Sequence, residues 1–250
     1  MAIKRGANFE RVRFPVFNPA GTMVAYQATL LGQEPNTREI AVVGDKTKGA
    51  ENVLGRVVGF AWVGIPVFSP DGTTVAYPVL RSADFLPDNR PKHGFVVVGN
   101  KKGPKFDFVG EPVFSPDGTN SAYLAKVGEK EFIVLGDKKG PEFDDVKSPV
   151  FSPDSHTIAY QAKQAEKQFI VLGDKRGPEF DEVREPVFGP NGATVAYRAR
   201  RDKKWLIVVG EKLGPEFDDV FSPYFSSDGS KVAYGAKQGR EFWWKVLAVR

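Results

Sequence analysis

Short apolar segments separated by turns rich in glycine and proline follow one another along the whole chain. A typical stretch has a PVF segment, a turn such as SPDG, an apolar TVAY segment and a fully apolar FIVLG segment. Segments this short, bounded by turn residues, predict β-strands rather than helices. In these turns proline presets φ, aspartate bonds the nearby backbone and glycine takes the left-handed conformation. The pattern predicts an all-β chain.

The same segment occurs six times, and the intervals between copies are 51, 46, 37, 37 and 37 residues. The copies begin at Pro15, Pro66, Pro112, Pro149, Pro186 and Pro223. A second motif, GDKKGPEFDDV with variants, lies between them. We interpret each repeat as four strands: PVF, TVAY, FIVLG and, after the GDKKGP turn, EFDDV. A period near 40 residues with four strands each predicts a β-propeller.

The FSPDGxxxAY core of these repeats resembles the WD40-like (PD40/TolB-type) propeller repeat, and the resemblance covers nearly the whole chain. The aromatic position of the core is held by Phe17, Phe68, Phe114, Phe151, Phe188 and Phe225. The resemblance implies radially arranged blades with the PVF strand innermost. Because the family includes binding modules, peptidase-associated domains and enzymes, it implies a fold more than an activity.

The two ends of the sequence suggest how the ring closes. The last repeat stops at Arg250 after three strands, and Lys4–Phe17 aligns without gaps to Lys175–Phe188. We therefore expect Phe9–Val12 to supply the fourth strand of the last blade and remove an exposed edge. The prediction is one domain and, because a closed ring has no free central edge, a monomer. Its six four-stranded antiparallel blades span approximately 15–63, 66–109, 112–146, 149–183, 186–220 and 223–250 with 9–12.

Composition narrows the functional classes. The 250 residues are ample for a large core, and the absence of cysteine excludes disulfides and thiolate chemistry. No apolar run is long enough to predict a membrane span, and MAIKRGANFERV does not resemble a secretory signal. The compartment stays undetermined. The net charge of +4 comes from interleaved charges, unlike the basic stripe of a nucleic-acid-binding domain, so nucleic acid is not an expected partner.

The first two repeats break the regularity: about five extra residues fall within 30–38, nine precede Gly59, and nine fall within 80–94. These insertions place apolar residues, including Leu80, on loops that would otherwise be polar. At the acidic position of the EFDDV motif, the first two copies carry an aromatic residue instead. Gathered apolar residues suggest a contact with another protein; the alternative is that the long loops bury their own apolar groups. The candidate residues are Leu30, Leu31, Trp62, Phe85, Leu86 and Phe108.

The loops between second and third strands form another candidate surface. They are rich in lysine and arginine, above all at Arg198, Arg200, Arg201, Lys203 and Lys204. In a propeller such loops share a face, so their potentials add. The surface is a candidate for binding an anionic protein, polysaccharide or membrane surface; the alternative is a solvated face. It lacks the aromatic residues that stack on bases.

Catalytic motifs are scarce. There is no nucleophile elbow, phosphate-binding glycine loop or HExxH, and His93 and His156 have no neighbouring ligand residues that would suggest a metal, so no metal or cofactor is predicted. Glu111 and Glu185 each precede the proline of an inner strand. The resemblance implies that these two positions lie at one mouth of the central channel. Glycosidases use a pair of carboxylates in a cleft for catalysis. A non-catalytic scaffold or protein-binding module is the favoured interpretation. A small glycosidase- or lyase-type enzyme, and an engineered or template propeller without defined activity, remain alternatives.

Overall fold

The structure, a computed structural model, describes residues 9–30, 39–45, 50–55, 61–85 and 91–249. Every regular element in this part of the chain is a β-strand, and all strand pairs are antiparallel. The all-β prediction is confirmed. Within the same ranges, no helix has the length and apolar character needed to cross a bilayer. The candidate residues Leu31 and Leu86 lie outside the described residues.

The strands of the first three repeats form three sheets. In the first sheet the strand order is β1-β2-β3-β4, and in the next two it is β5-β7-β8-β9 and β10-β12-β13-β14, with β6 on β7 and β11 on β12. The bounds are β1 Phe9–Phe17, β2 Met23–Leu30, β3 Glu39–Asp45, β4 Ala50–Gly55, β5 Ala61–Val63, β6 Val67–Phe68, β7 Val75–Phe85, β8 Pro91–Val98, β9 Lys101–Lys102, β10 Phe108–Val109, β11 Val113–Phe114, β12 Ser121–Val127, β13 Lys130–Leu135 and β14 Lys138–Lys139.

The last three repeats form three more sheets. The orders are β15-β16-β17-β18 and β19-β21-β22-β23 with β20 on β21, while in the sixth sheet β24, β25 and β27 all pair with β26. The bounds are β15 Asp145–Phe151, β16 Ile158–Gln164, β17 Lys167–Leu172, β18 Lys175–Arg176, β19 Glu182–Val183, β20 Val187–Phe188, β21 Val195–Arg201, β22 Lys204–Val209, β23 Lys212–Leu213, β24 Asp219–Val220, β25 Tyr224–Phe225, β26 Lys231–Gln238 and β27 Glu241–Ala248.

The chain divides into two compact units. The N-terminal unit comprises 1–129 and 133–140, and the C-terminal unit comprises 130–132 and 141–250, so the division runs through β13. In the N-terminal unit the core includes Val63, Tyr77, Val79 and Phe95. In the C-terminal unit, valine, tyrosine and alanine side chains of successive sheets are buried against one another.

The strand assignment within a repeat differs from the prediction at the fourth strand. In the second to fifth sheets the strand at this edge is a short Lys-Lys, Lys-Arg or Lys-Leu segment of the GDKKG turn, as in β18, which pairs with β17. Within the EFDDV motif, Phe143 forms a single isolated β-bridge to Glu131 of the same repeat. The following Asp145–Val146 enters β15 and pairs with β16 of the next repeat. The motif therefore ends one repeat and begins the first strand of the next, which we call the entry strand.

The same correction applies to the N-terminal strand. Phe9–Val12 was predicted to complete the last blade, but β1 pairs with β2, with Arg11 opposite Thr29 and Val12 opposite Ala28. The alignment was correct, since Glu182 and Val183 pair in the same way with β21. Among the described strands, β27 pairs only with β26. The described residues therefore show no closed sheet between the two ends.

The insertion of the second repeat lengthens a hairpin instead of forming a loop. Leu80 and Phe85 belong to β7, where they lie opposite Gly94 and Pro91 of β8. Leu80 is buried, so its expected place on an exposed loop was wrong. In the first repeat Leu30 likewise ends a strand, paired with Phe9.

The SPDG turn explains why five repeats carry glycine at one position. Gly21, Gly72, Gly118, Gly192 and Gly229 have φ between 65° and 72° there, while the fourth repeat holds Ser155 at 65°. A side chain in the left-handed region is strained.

We expect Ser155→Gly to stabilise the protein by about 0.5–1 kcal/mol despite the entropy that glycine adds to the unfolded chain. Gly118→Ser is the reciprocal control and should destabilise the protein. Urea unfolding of both variants measures the two changes in free energy of unfolding. Changes of the same sign would contradict the argument.

Candidate interaction surface

Five positions in each repeat carry residues that differ between repeats, although the surrounding core does not. Two lie on the entry strand, two on the second strand and one at the start of the third strand. All are near the hairpin that joins the second and third strands, and we call them the rim positions. In the fourth repeat they line a small pocket of about 20 Å³, room for about one water molecule. These lining residues are Asp145, Lys147, Gln161, Lys163 and Gln168.

In the second repeat the rim positions are apolar. They are Trp62, Gly64, Pro78, Leu80 and Gly94. A Cβ on Gly64 would lie 3.0 Å from Trp62 Cη2 and 2.5 Å from Pro78 Cγ, so the indole lies over the glycine. A side chain at Gly94 would have to displace Leu80, whose Cδ2 lies 2.5 Å from the ideal Cβ position. Trp62 itself is 45% exposed.

The entry strand of the third repeat continues this apolar rim. Phe108 is 41% exposed and lies opposite Lys126 on β12. In the C-terminal unit the residues equivalent to Pro78 and Phe108 are Arg198 and Asp219, which form a 3.0 Å ion pair between successive sheets. By this equivalence we infer that Phe108 lies beside Pro78. Trp62 and Phe108, two of the predicted contact residues, thus belong to equivalent rim positions of successive repeats.

Leu30 and Phe85, also predicted contact residues, are placed by their backbones near the ends of β2 and β7. Their participation in the surface stays a prediction, as does that of Leu31 and Leu86.

In the fifth repeat the rim positions form an arginine–tryptophan cluster. Glu182 accepts ion pairs from Arg184 at 2.6 Å and Arg200 at 3.1 Å, while Arg198 reaches Asp219. The three guanidinium carbons lie 4.9–5.7 Å from the centroid of the Trp205 ring, within range of cation–π attraction. The two carboxylates offset most of the positive charge of this cluster.

The predicted basic surface is therefore mostly paired. Arg198 and Arg200 lie on β21 and not on a loop, and Lys204 contacts Asp218 at 2.6 Å. Arg201 lies 5.3 Å from the centroid of the Phe180 ring, and Lys203 is an exposed turn residue with φ 72°. Anion binding by this group stays a prediction, although ion pairing reduces the charge that a ligand would meet.

Three aspartates repeat one contact between successive repeats. Each accepts a hydrogen bond from the lysine that begins the preceding third strand, at 2.6–2.7 Å, and another from a backbone N–H of the next hairpin turn. These clamp residues are Asp144, Asp181 and Asp218, with Lys130, Lys167 and Lys204. For Asp181, the hydrogen bond from Lys167 and then that from the Asp202 N–H hold the carboxyl pKa below its usual value.

This lowered pKa predicts a pH dependence. Because the folded pKa of Asp181 lies below the unfolded one, its carboxylate stabilises the fold above the unfolded pKa, and that contribution is lost as pH falls through the folded pKa. We expect Asp181→Asn to lower the Tm at neutral pH and to converge with the wild type as pH falls from about 5 towards 2. Thermal scans across this range check it, with the exposed turn residue Asp174→Asn as control. A constant Tm difference at every pH would contradict the clamp.

The remaining candidates are dispersed. Glu111 and Glu185 are both exposed and each precedes an inner-strand proline, in different compact units, so their predicted role at a channel mouth stays untested. His93 and His156 are exposed. The described ranges contain no group of three or more acidic or histidine side chains placed to hold a metal ion.

Sequence reasoning missed part of the rim. Its apolar members Pro78 and Gly94 and the cluster around Trp205 were not singled out. An alignment of the residue after each TVAY tyrosine, which is glutamine, proline, leucine, glutamine, arginine and glycine in the successive second strands, would have shown a position that varies within a constant core.

Comparison with known proteins identifies the fold. No family model matches the chain, and no curated protein sequence matches it. The β-propeller domain of the trilobed protease from Pyrococcus furiosus matches with a TM-score of 0.52 and 16% identity, over 98% of this chain and 83% of that one. Dipeptidyl peptidase 4 from Porphyromonas gingivalis matches with a TM-score of 0.57 and 13% identity, over 99% of this chain and 46% of that one. TolB from Acinetobacter baumannii has a TM-score of 0.41 and 18% identity, over 95% and 61% of the respective chains. The match to the Pyrococcus furiosus domain shows that the chain is similar in fold to β-propeller proteins.

Proposed function

We propose that this protein is a non-catalytic propeller that binds another protein through the apolar rim of its second and third repeats. The observation that carries the proposal is the exposure of Trp62 and Phe108 at equivalent positions where the later repeats have acidic residues. Tryptophan and other aromatic anchors are enriched among the residues that dominate binding energy at protein interfaces.

The rim supports binding because its base is rigid. Pro78 and Leu80 are buried, and Gly64 lies against the indole of Trp62. An aromatic side chain held in this way loses little conformational entropy when a partner covers it. The expected partner segment is apolar, since none of the five rim positions of the second repeat carries a charge.

The proposal includes the arrangement of the repeats. Each of the six sheets of the described residues is, in this proposal, one blade of a six-bladed propeller. The Pyrococcus furiosus domain is described as having an open velcro topology. We propose the same open topology for this chain, supported by the pairing of β1 with β2 and of β27 with β26 alone among the described strands.

Selection from a random peptide library displayed on phage tests the binding function. We expect the purified chain to enrich peptides with apolar residues, and the double variant Trp62→Ser/Phe108→Ser to bind these peptides at least about tenfold more weakly, which corresponds to about 1.4 kcal/mol. The matched control changes two polar rim residues of the fourth repeat, Gln161→Ser and Lys163→Ser, and should bind as the wild type does.

Two results would reject the assignment. One is a library that yields no enriched sequence, and the other is an enriched peptide that binds the Trp62/Phe108 double variant with unchanged affinity. Circular dichroism of each variant, measured before binding, separates a lost surface from a lost fold.

A further inference from the structure

The rim of the fourth and fifth repeats is basic and lies within the C-terminal unit. The two rims are adjacent, because Gln168 of the fourth repeat accepts a hydrogen bond of 3.2 Å from the Val183 N–H of the next entry strand. Their ten rim positions carry five basic and two acidic side chains, and Asp219 of the sixth repeat offsets one further base, which leaves a net charge of +2. We call the five bases the basic rim; they are Lys147, Lys163, Arg184, Arg198 and Arg200.

The ion pairs of the fifth repeat leave donors of each guanidinium group unused. Arg184, Arg198 and Arg200 each contact a carboxylate through Nη2, whereas a guanidinium has five N–H donors. The Nε atoms of Arg198 and Arg200 are buried without a hydrogen-bond partner among the described residues. Unpaired buried donors destabilise a fold, so stability alone does not explain the cluster. The side chains of Arg184 and Arg200 are 48% and 40% exposed, which leaves them accessible to a ligand.

Trp205 occupies a position that has a structural role in the two preceding repeats. There Glu131 and Gln168 each accept a hydrogen bond of 3.2 Å from the backbone N–H of the next entry strand. An indole has no acceptor, and the equivalent N–H, that of Val220, instead donates to the Asp219 carboxylate at 2.9 Å. The Trp205 ring gives three guanidinium groups a surface for cation–π contact. The fifth repeat thus loses a contact between repeats and gains a ring that holds arginines in place.

The charge and geometry of the basic rim favour carboxylates as ligands. Guanidinium groups bind carboxylates through paired N–H donors, and contacts with Trp205 and Glu182 reduce the rotamer freedom that the arginines lose on binding. The net charge of +2 is small for nucleic acid, whose binding relies on neutralising many phosphates. Guanidinium groups also lie over the ring on which a base would stack. About two carboxylates neutralise this charge, and a short acidic peptide supplies them.

We propose that the basic rim binds an acidic peptide segment of a partner protein, with carboxylates of the peptide accepting hydrogen bonds from Arg184, Arg198 and Arg200. This site lies in the C-terminal unit, whereas Trp62 and Phe108 belong to the N-terminal unit. It therefore goes beyond the proposed apolar contact and depends neither on that contact nor on the open topology.

Fluorescence anisotropy of a labelled peptide of about ten residues, about four of them glutamate, tests the proposal, with the glutamine version of the peptide as the ligand control. In buffer of about 50 mM salt we expect the glutamate peptide to bind with a dissociation constant of about 10–100 µM, and more weakly as added salt screens the charges. Arg184→Gln/Arg200→Gln should raise the dissociation constant at least about tenfold. The matched control Lys175→Gln/Arg176→Gln removes the same charge from β18, outside the rim, and should change it less than about twofold.

Trp205→Gln separates a binding role from a structural one. It installs the residue of the fourth repeat, whose amide oxygen is an acceptor for the Val220 N–H, so we expect the variant to keep the native circular dichroism spectrum. Because the arginines lose the ring that holds them, the peptide should bind about threefold to tenfold more weakly. Arg184→Lys/Arg200→Lys, which keeps the charge but not the paired donors, should weaken binding about threefold to fivefold.

Three results would overturn the proposal. The first is a glutamate peptide that binds no better than the glutamine peptide up to about 1 mM. The second is an equal loss of affinity in the Lys175/Arg176 control, which would mean that overall charge and not the basic rim attracts the peptide. The third is a single-stranded oligonucleotide of equal length that binds more tightly and loses affinity in Arg184→Gln/Arg200→Gln, which would assign the rim to nucleic acid. Peptide selection at Trp62 and Phe108 is unaffected by any of these outcomes.

Discussion

Val183→Asp is expected to destabilise the protein by more than about 4 kcal/mol, which approaches the whole stability of a marginally stable domain. Val183 is 2% exposed and packs within a cluster that includes Ile170, Val195 and Leu206. The substitution removes apolar contacts and places a carboxylate where described neighbours are hydrocarbon. An unpaired buried charge is among the costliest changes a core can receive.

The equivalent substitution at the first entry strand provides the control. Val12→Asp introduces the same side chain at the aligned position, but Val12 is half exposed and the carboxylate stays hydrated. We expect a change within about 1 kcal/mol. Urea unfolding of both variants measures the difference. Similar losses of stability at both positions would mean that the first sheet is covered like the others.

Much of the fold could be predicted from the sequence because the repeat is expressed in residues with strong local preferences. Proline, aspartate and glycine fix the turn, and the recurring apolar TVAY segment marks each second strand. Ala159 and Tyr160, on opposite sides of one such strand, are both buried. The strand order was harder. Asp145–Val146 is equally compatible with ending one sheet or starting the next, since a short strand has no local signal for its partner; hydrogen bonding to β16 decides it.

The interaction surface was predictable only in part. Trp62 and Phe108 could be predicted because they replace an acidic residue of the repeat, and the sequence alone shows that replacement. The glycine beneath Trp62 and the proline beside it were not found, because they come together only through pairing of β5 with β7. The ion pairs of Arg198 and Arg200 were missed for the same reason: Glu182 and Asp219 lie far from them in sequence and beside them in the structure.

The outermost strand also determines which aromatic residues are buried. Phe169 of β17 is fully buried; its ring meets Phe143 at 5.5 Å, and the Arg176 guanidinium carbon of β18 lies 3.8 Å from its centroid. Trp243 of β27 aligns with Phe169 but is 47% exposed. Among the described strands, none follows β27 to supply the cover that β18 gives to β17.

Phe169→Ala is therefore expected to cost about 3–5 kcal/mol, the usual range for a phenylalanine removed from a packed core, whereas Trp243→Ala should cost only about 1 kcal/mol because half of its surface is already hydrated. The larger residue gives the smaller loss, an order opposite to that expected from side-chain size alone. Denaturant unfolding of both variants at equal, low protein concentration checks it. If Trp243→Ala proved as costly as Phe169→Ala, a further strand would have to cover β27 in solution, and the open topology proposed above would be wrong.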